Sequence, residues 1–265
     1  MYKFGFIGTG NMGGSLVKAI CKNCDPSTVI IANKEEEKAE QLSRKYGCVH
    51  GQNEDVAKNA EYIFLGVKPQ VMPEMLDSIK NILSSRKDRV VLITMAAGIT
   101  MERICQMVEK KYPVIRIMPN TPVAIGMGTV VYCVNDMVKE IEKQQFVSAM
   151  EKAGIIKEID EKLIDAASAV SGCGPAFVYM FAEAMADGAV KCGLPRDLAT
   201  SLAANTIMGA GAMINSQGKS PAQLKDEVCS PGGTTIEGVH ALEKGGMRSA
   251  VIDAVESAYL KNKKL

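Results

Sequence analysis

The sequence predicts an α/β chain in two parts: a doubly wound parallel sheet, then an all-helical domain. Three observations carry that expectation. Short apolar runs alternate with amphipathic stretches through the first 160 residues, the strand signal stops after Asp160, and a glycine-rich turn joins the first run to the first amphipathic stretch. The division expected is 1–160 and 161–265. At 265 residues and 47% hydrophobic content, the chain is long enough to bury a substantial core.

The elements follow in order. Lys3–Gly8, Val29–Asn33, Tyr62–Val67, Val90–Thr94 and Val114–Met118 read as short buried strands. Helical stretches lie between them, near Met12–Lys22, Glu35–Tyr46, Val71–Leu83 and Met101–Lys111. Alternation at this spacing implies right-handed crossovers and a parallel sheet covered on both faces. Thr129–Val134 and Ile155–Ile159 read as two further strands around a helix near Met137–Glu151. Beyond Asp160 come helices at Leu163–Val170, Ala176–Cys192, Leu198–Ser216, Pro221–Glu227, Ile236–Lys244 and Met247–Lys261. Gly172, Gly193, Pro195, Gly218, Pro231 and the Gly245-Gly246 pair punctuate them.

Composition excludes several classes. With 31 basic and 30 acidic groups, the chain lacks the basic surface of a nucleic-acid binder. His50 and His240 are too few for a three-histidine metal site, and no metal is expected. The start runs from Met1 straight into a core strand without the apolar region of a signal peptide. The uncharged run Leu198–Gly218 carries Thr200, Asn205, Asn215 and Gln217, too polar for hydrocarbon, and reads as a helix buried on most sides in protein. No membrane partner is expected, and the location expected is cytoplasmic. The eight cysteines are scattered through helix and strand patterns and read as free thiols. Cys21 and Cys24 have redox spacing, but they fall near the end of a predicted helix, where nothing lowers a thiol pKa.

Ile7 leads into Gly8-Thr9-Gly10-Asn11-Met12-Gly13, between the first strand and the first helix. In such a turn the first glycine makes the bend, the second admits a pyrophosphate, and the third lets helix and strand pack closely. The pattern alone is weak; its position makes it a dinucleotide site. An acidic ribose anchor is usual at the end of the second strand, but Asn33-Lys34 stands there, which favours a 2′-phosphate and hence NADPH, with NADH as a second candidate donor. The bland alternative makes Lys34 a solvated helix-start residue. Two later strand ends, Gly66-Val67-Lys68-Pro69 and Met95-Ala96-Ala97-Gly98, are further cofactor candidates. Asn53 meets the adenine side or else caps a helix beginning at Glu54.

In the helical half, Ser230-Pro231-Gly232-Gly233-Thr234-Thr235 places glycines and hydroxyls at a helix start. Free backbone N–H groups there suit a carboxylate, and a hydroxyl suits a substrate nitrogen. The alternative is an ordinary helix with Thr as its N-cap.

Six motifs in this order carry a resemblance: the glycine turn, Val67-Lys68-Pro69, Ala96-Ala97-Gly98, Arg116-Ile117-Met118-Pro119-Asn120-Thr121-Pro122, Ser171-Gly172-Cys173-Gly174-Pro175 and Ser230 to Thr235. From about Phe4 to about Tyr259 the chain resembles the pyrroline-5-carboxylate reductases. That resemblance implies NADPH-dependent reduction of 1-pyrroline-5-carboxylate to L-proline, with Thr235 as the catalytic hydroxyl. It places Ser230, Gly232, Gly233 and Thr234 on the substrate, and Glu161 at a substrate-side position. Cys173 stands where the family often has Ser, and Gly218 where some members have an acidic residue, which leaves the Gln217–Ser220 loop open.

Two rivals remain. A β-hydroxyacid dehydrogenase would place a catalytic Lys a few residues before an Asn, whereas Lys191 and Asn205 lie far apart. A non-catalytic NADPH sensor would bind cofactor and turn over no imine. For assembly, a helical half of this size cannot surround Leu198–Gly218 alone, which points to a homodimer. The resemblance implies the same and allows a decamer, a pentamer of dimers.

Overall fold

The computed structural model describes residues 1–264. Alternation in β1 (Tyr2–Ile7) sets the first architecture: Phe4 and Phe6 enter one core layer and Ile7 the other. The same parity runs through β2 (Val29–Ala32), β4 (Ala60–Leu65) and β5 (Val91–Thr94). Ile31, Phe64 and Ile93 join Phe6, while Ile30, Leu65 and Leu92 join Ile7. Strands buried on both faces lose polar alternation, which is why they read as continuous apolar runs. The Phe6 and Phe64 rings stack at 4.3 Å.

Helices cover each layer. α1 (Asn11–Cys21), α2 (Glu36–Tyr46) and α6 (Glu140–Met150) bury Leu16, Ala39 and Phe146 on the first face. α3 (Asn53–Asn59), α4 (Met72–Ser85) and α5 (Met101–Met107) bury Val56, Leu76 and Ile104 on the second. With β3 (Val49–His50), β6 (Val114–Pro119), β7 (Gly128–Val134) and β8 (Gly154–Glu158), the sheet has eight strands in the order β3-β2-β1-β4-β5-β6-β7-β8. The chain reverses its direction of winding between β1 and β4, and ligands of open α/β sheets bind at that switch.

The expected sheet is parallel, and β7 departs from it. It pairs antiparallel to β6 and carries β8 parallel to itself. The cause is the short link through the 3-10 turn Thr121–Ile125 and Gly126 at φ 78°, since a parallel return needs a crossover of a dozen or more residues. β3 has no counterpart among the predicted elements, and α3 is the helix that the capping alternative for Asn53 places at Glu54. α5 stops at Met107, short of the expected Lys111, and Glu109 just beyond it has a left-handed φ of 54°.

Contacts divide the chain into two compact units. One is Met1–Gly172 with the last residues from Tyr259; the other is Cys173–Ala258. The first ends with α7 (Ile164–Ala167) and a π-helical turn, Ser168–Gly172. The second holds α8 (Gly174–Lys191), α9 (Arg196–Gln217), α10 (Pro221–Val228), α11 (Thr234–Lys244) and most of α12 (Met247–Asn262). Its buried core is three alanines, Ala186, Ala199 and Ala203. Tyr179 and Met180 on α8 are 62% and 70% exposed, and Leu202 and Met208 on α9 are also open. Within one chain α9 is therefore uncovered, contrary to the burial its composition requires. By length and composition alone, the helical stretch Glu161–Lys191 is apolar enough to cross a membrane. So much exposed apolar surface marks an interaction face.

Candidate active site

Strand register assembles the candidate cofactor region of the first unit. Ile7 pairs with both Ala32 and Leu65, and Leu65 pairs with Thr94, so Gly8, Asn33, Gly66 and Met95 line one edge of the sheet. Gly8 takes φ 93°, donates its N–H to Ala32 O at 2.9 Å, and lies so close to β4's end that a Cβ would meet Gly66 O at 2.8 Å. A Cβ on Gly13 would fall 2.3 Å from Gly8 O, so this glycine is what allows α1 to press against the turn. Gly10 differs: a Cβ there would meet nothing within 4 Å. The three glycines thus bend, open and pack, as their spacing predicts.

The open space over Gly10 faces the N-terminus of α1. Gly10 is the N-cap, it makes no side-chain cap bond, and the first turn of α1 has no acidic residue. The first N–H groups of the helix, from Asn11 and Met12, have no intrahelical partner. Thr9 Oγ1 is buried without a hydrogen-bond partner, while Thr9 N–H donates to Asn33 Oδ1 at 3.3 Å. An orphaned hydroxyl, unpaired amides and an uncrowded floor fit a pyrophosphate. Asn33 also donates from Nδ2 to Glu35 O at 3.2 Å, which fixes the end of β2, and Lys34 beside it is exposed.

The other strand ends converge on the same edge. Lys68 is exposed, and its carbonyl accepts from Val71 N–H at 2.9 Å in the turn that starts α4. Pro69, Ala97 and Gly98 line one recess with Arg103 and Met107, and Ala96 behind them is buried. Asn53 is not the cap of α3: the helix begins at Asn53, and Gln52 N–H donates to Asp55 Oδ2 at 2.9 Å. The capping alternative for Asn53 is overturned, and its half-buried side chain has no part in the helix start.

The helical unit carries a candidate region of its own. Gly232 has φ 67°, and Gly233 N–H donates to Ser230 O at 3.1 Å, closing a tight turn. A Cβ on Gly233 would fall 2.2 Å from Ser230 Oγ. Gly233 is the N-cap of α11 and makes no side-chain cap bond; Thr234 and Thr235 are already helical. Neither threonine caps the helix, so the half-buried Thr235 keeps its hydroxyl for other use, and Ser230 is exposed.

Glu161 has firm partners in the first unit. Its Oε1 accepts from Met101 N–H at 3.0 Å and from Arg116 Nη1 at 3.1 Å. Arg116, 3% exposed, also faces Asp165 at 3.6 Å, and its Nε has no partner. Asn120, likewise buried, donates to Ser171 O at 2.9 Å and accepts from Thr129 N–H at 2.8 Å. Arg116 and Asn120 received no role from the sequence. The available signal was a charged side chain within the apolar run of β6 and an amide directly after it. Burial, with Glu161 adding and Arg116 opposing, pushes the Cys133 thiol up to about 12. Among the described residues no cluster of three His, Cys, Asp or Glu has metal-binding geometry.

Fold and turn together define a class: a dinucleotide-dependent oxidoreductase with a nucleotide-binding half and a helical half. Residues 3–98 match the family model described as NADP oxidoreductase, coenzyme F420-dependent, and residues 161–265 match pyrroline-5-carboxylate reductase dimerisation. Pyrroline-5-carboxylate reductase 3 of Danio rerio is 41% identical over 97% of this chain and 88% of its own. The Pisum sativum reductase is 37% identical over 100% of this chain and 96% of its own. The Plasmodium falciparum enzyme, solved with NADP bound, superposes with a TM-score of 0.87 at 34% identity, covering 99% and 97% of the two chains. The chain belongs to the pyrroline-5-carboxylate reductase family.

Proposed function

We infer that this chain reduces 1-pyrroline-5-carboxylate to L-proline with NADPH, the last step of proline biosynthesis. Bound NADPH supplies the hydride. The chain's own groups bind and align, because a protonated cyclic imine is already electrophilic. The N–H groups of Gly10, Asn11, Met12 and Gly13 hold the pyrophosphate, with Ile7, Gly8 and Thr9 shaping the turn. Asn33 and Lys34 receive the 2′-phosphate, and Asn53 meets the adenine. Gly66, Val67, Lys68 and Pro69, with Met95, Ala96 and Ala97, carry the rest of the dinucleotide. NADH serves as the weaker donor.

The observation that carries the substrate side is the start of α11, where no side chain caps the helix. The amides of Gly232, Thr234 and Thr235 take the carboxylate beside Ser230, in a turn that the Gly233 N–H closes onto Ser230 O, and the Thr235 hydroxyl hydrogen-bonds the ring nitrogen. The exposed apolar faces of α8 and α9 support a homodimer, and assembly of five dimers into a decamer rests on the family resemblance alone. The same contact accounts for the apolar stretch Glu161–Lys191 without a membrane. Eight free cysteines support a reducing, cytoplasmic setting. The test is NADPH oxidation with pyrroline-5-carboxylate and with its six-membered homologue. Turnover with the five-membered imine is expected; NADPH binding without turnover of either imine would leave a sensor.

A further inference from the structure

The segment that leads out of β8 is bolted to the cofactor edge of the sheet by one carboxylate. Glu161 Oε1 takes two donors: the N–H of Met101, first residue of α5, at 3.0 Å, and the Nη1 of buried Arg116 at 3.1 Å. Met101 closely follows the Met95-Ala96-Ala97-Gly98 turn, which packs Ala96 and Ile99 into the core but whose own hydrogen bonds are long. Ala96 N–H meets Thr94 Oγ1 at 3.4 Å, Ile99 N–H meets Ala96 O at 3.5 Å, and Gly98 has φ 73°. Arg116 pairs with Thr94 across the β5–β6 register, so the guanidinium that orients Glu161 comes from the strand next to the turn. Asp165 is the second acid on this arginine, at 3.6 Å, and Asn262 donates to Asp165 O at 3.3 Å.

The two halves of a dinucleotide lie on opposite sides of its pyrophosphate. With the pyrophosphate at Gly10 and the 2′-phosphate at β2, the nicotinamide half extends toward the ends of β4 and β5. We propose that Glu161 is a positioning residue for that half: held by Arg116, it pins the start of α5 and so sets the Met95–Gly98 turn. This rests on the cofactor site proposed above, and it gives Glu161 a role on the cofactor in place of one on the imine.

The test is Glu161→Gln, which keeps an acceptor for Met101 and leaves Asp165 on Arg116, with Arg116→Lys as a second variant. NADPH binding by nicotinamide fluorescence, KM for the imine and binding of adenosine 2′,5′-bisphosphate are measured. We expect the Kd for NADPH to rise roughly tenfold in both variants. KM for the imine should stay unchanged. The bisphosphate, which reaches only the β2 side, should bind wild type and variants equally. A raised KM for the imine with unchanged NADPH affinity overturns the proposal and puts Glu161 on the substrate. Equal loss of NADPH and bisphosphate overturns it in favour of general unfolding, and no change in any of the three overturns it outright. A wild-type protein that fails to bind NADPH would instead defeat the cofactor reading beneath it.

Discussion

Gly10 and Gly13 belong to one motif, yet they should fail in opposite ways when given a methyl group. At Gly10 the new Cβ meets nothing within 4 Å, and φ is −63°, a value any residue adopts. Gly10→Ala should therefore fold normally, with a gain of about 0.4–1 kcal/mol from reduced freedom of the unfolded chain. That same open space is where the pyrophosphate must approach, so NADPH affinity should fall at least tenfold, about 1.4 kcal/mol. At Gly13 the Cβ would sit 2.3 Å from Gly8 O, a backbone atom that cannot swing aside. Relief requires α1 to move by about 1 Å, and overpacking of that kind costs roughly 1–3 kcal/mol. For a chain of this size Gly13→Ala should lower Tm by about 2–10 °C. Thermal melts and NADPH fluorescence titrations of both variants separate the effects. An unaltered NADPH Kd in Gly10→Ala would refute the placement of the pyrophosphate at the start of α1.

Lys34→Ala should weaken NADPH more than NADH, by about 1 kcal/mol for one exposed ion pair with the 2′-phosphate; titrating both cofactors checks it, and equal losses remove Lys34 from the site. Thr235→Ala should cut imine turnover roughly 10²-fold with NADPH affinity unchanged, and Thr235→Ser should restore much of it, as steady-state kinetics would show. Ala204→Asp should give insoluble or inactive protein if α9 meets a second chain, whereas a soluble, active variant refutes that contact. Glu142 predicts an acid limb of stability. Burial raises its pKa, but Arg89, the Lys139 N–H and their charges prevail and hold the carboxyl below its usual range. A depressed folded-state pKa contributes stability above the unfolded value, lost as pH falls through the folded one. Melts of Glu142→Gln should show a lower Tm at neutral pH and a flatter decline on acidification.

The sheet was legible because its strands obey one simple rule. Phe4, Phe6 and Ile7 are buried on two faces, so β1 and its neighbours read as apolar runs whatever their partners. β3 was not legible, since Val49 and His50 are too short a strand to show a period. The reversal of β7 depends on the length of a link through Asn120, Thr121 and Pro122, and strand patterns do not encode direction. The shape of the glycine turn was legible because a left-handed φ at Gly8 and the close approach of α1 at Gly13 each exclude a side chain. Asn53 misled in part: residues that favour caps also occupy the first helical turn, and Gln52 supplies the cap here. Glu161 shows the opposite limit. Its position was visible through resemblance, but its partners Met101 and Arg116 lie 60 and 45 residues away, beyond any local pattern. Leu198–Gly218 was read as buried on most sides in protein, and a single chain leaves it open along with the apolar face of α8.

Everything proposed for the site converges on hydride transfer to the imine carbon of pyrroline-5-carboxylate. It is tested most directly by a turnover with NADPH deuterated at the transferable position, followed by mass spectrometry of the product. The expected product is L-proline carrying one deuterium on the former imine carbon, formed in equal amount to oxidised cofactor. Cofactor oxidation without deuterated proline, or no product from enzyme that binds NADPH, would contradict it.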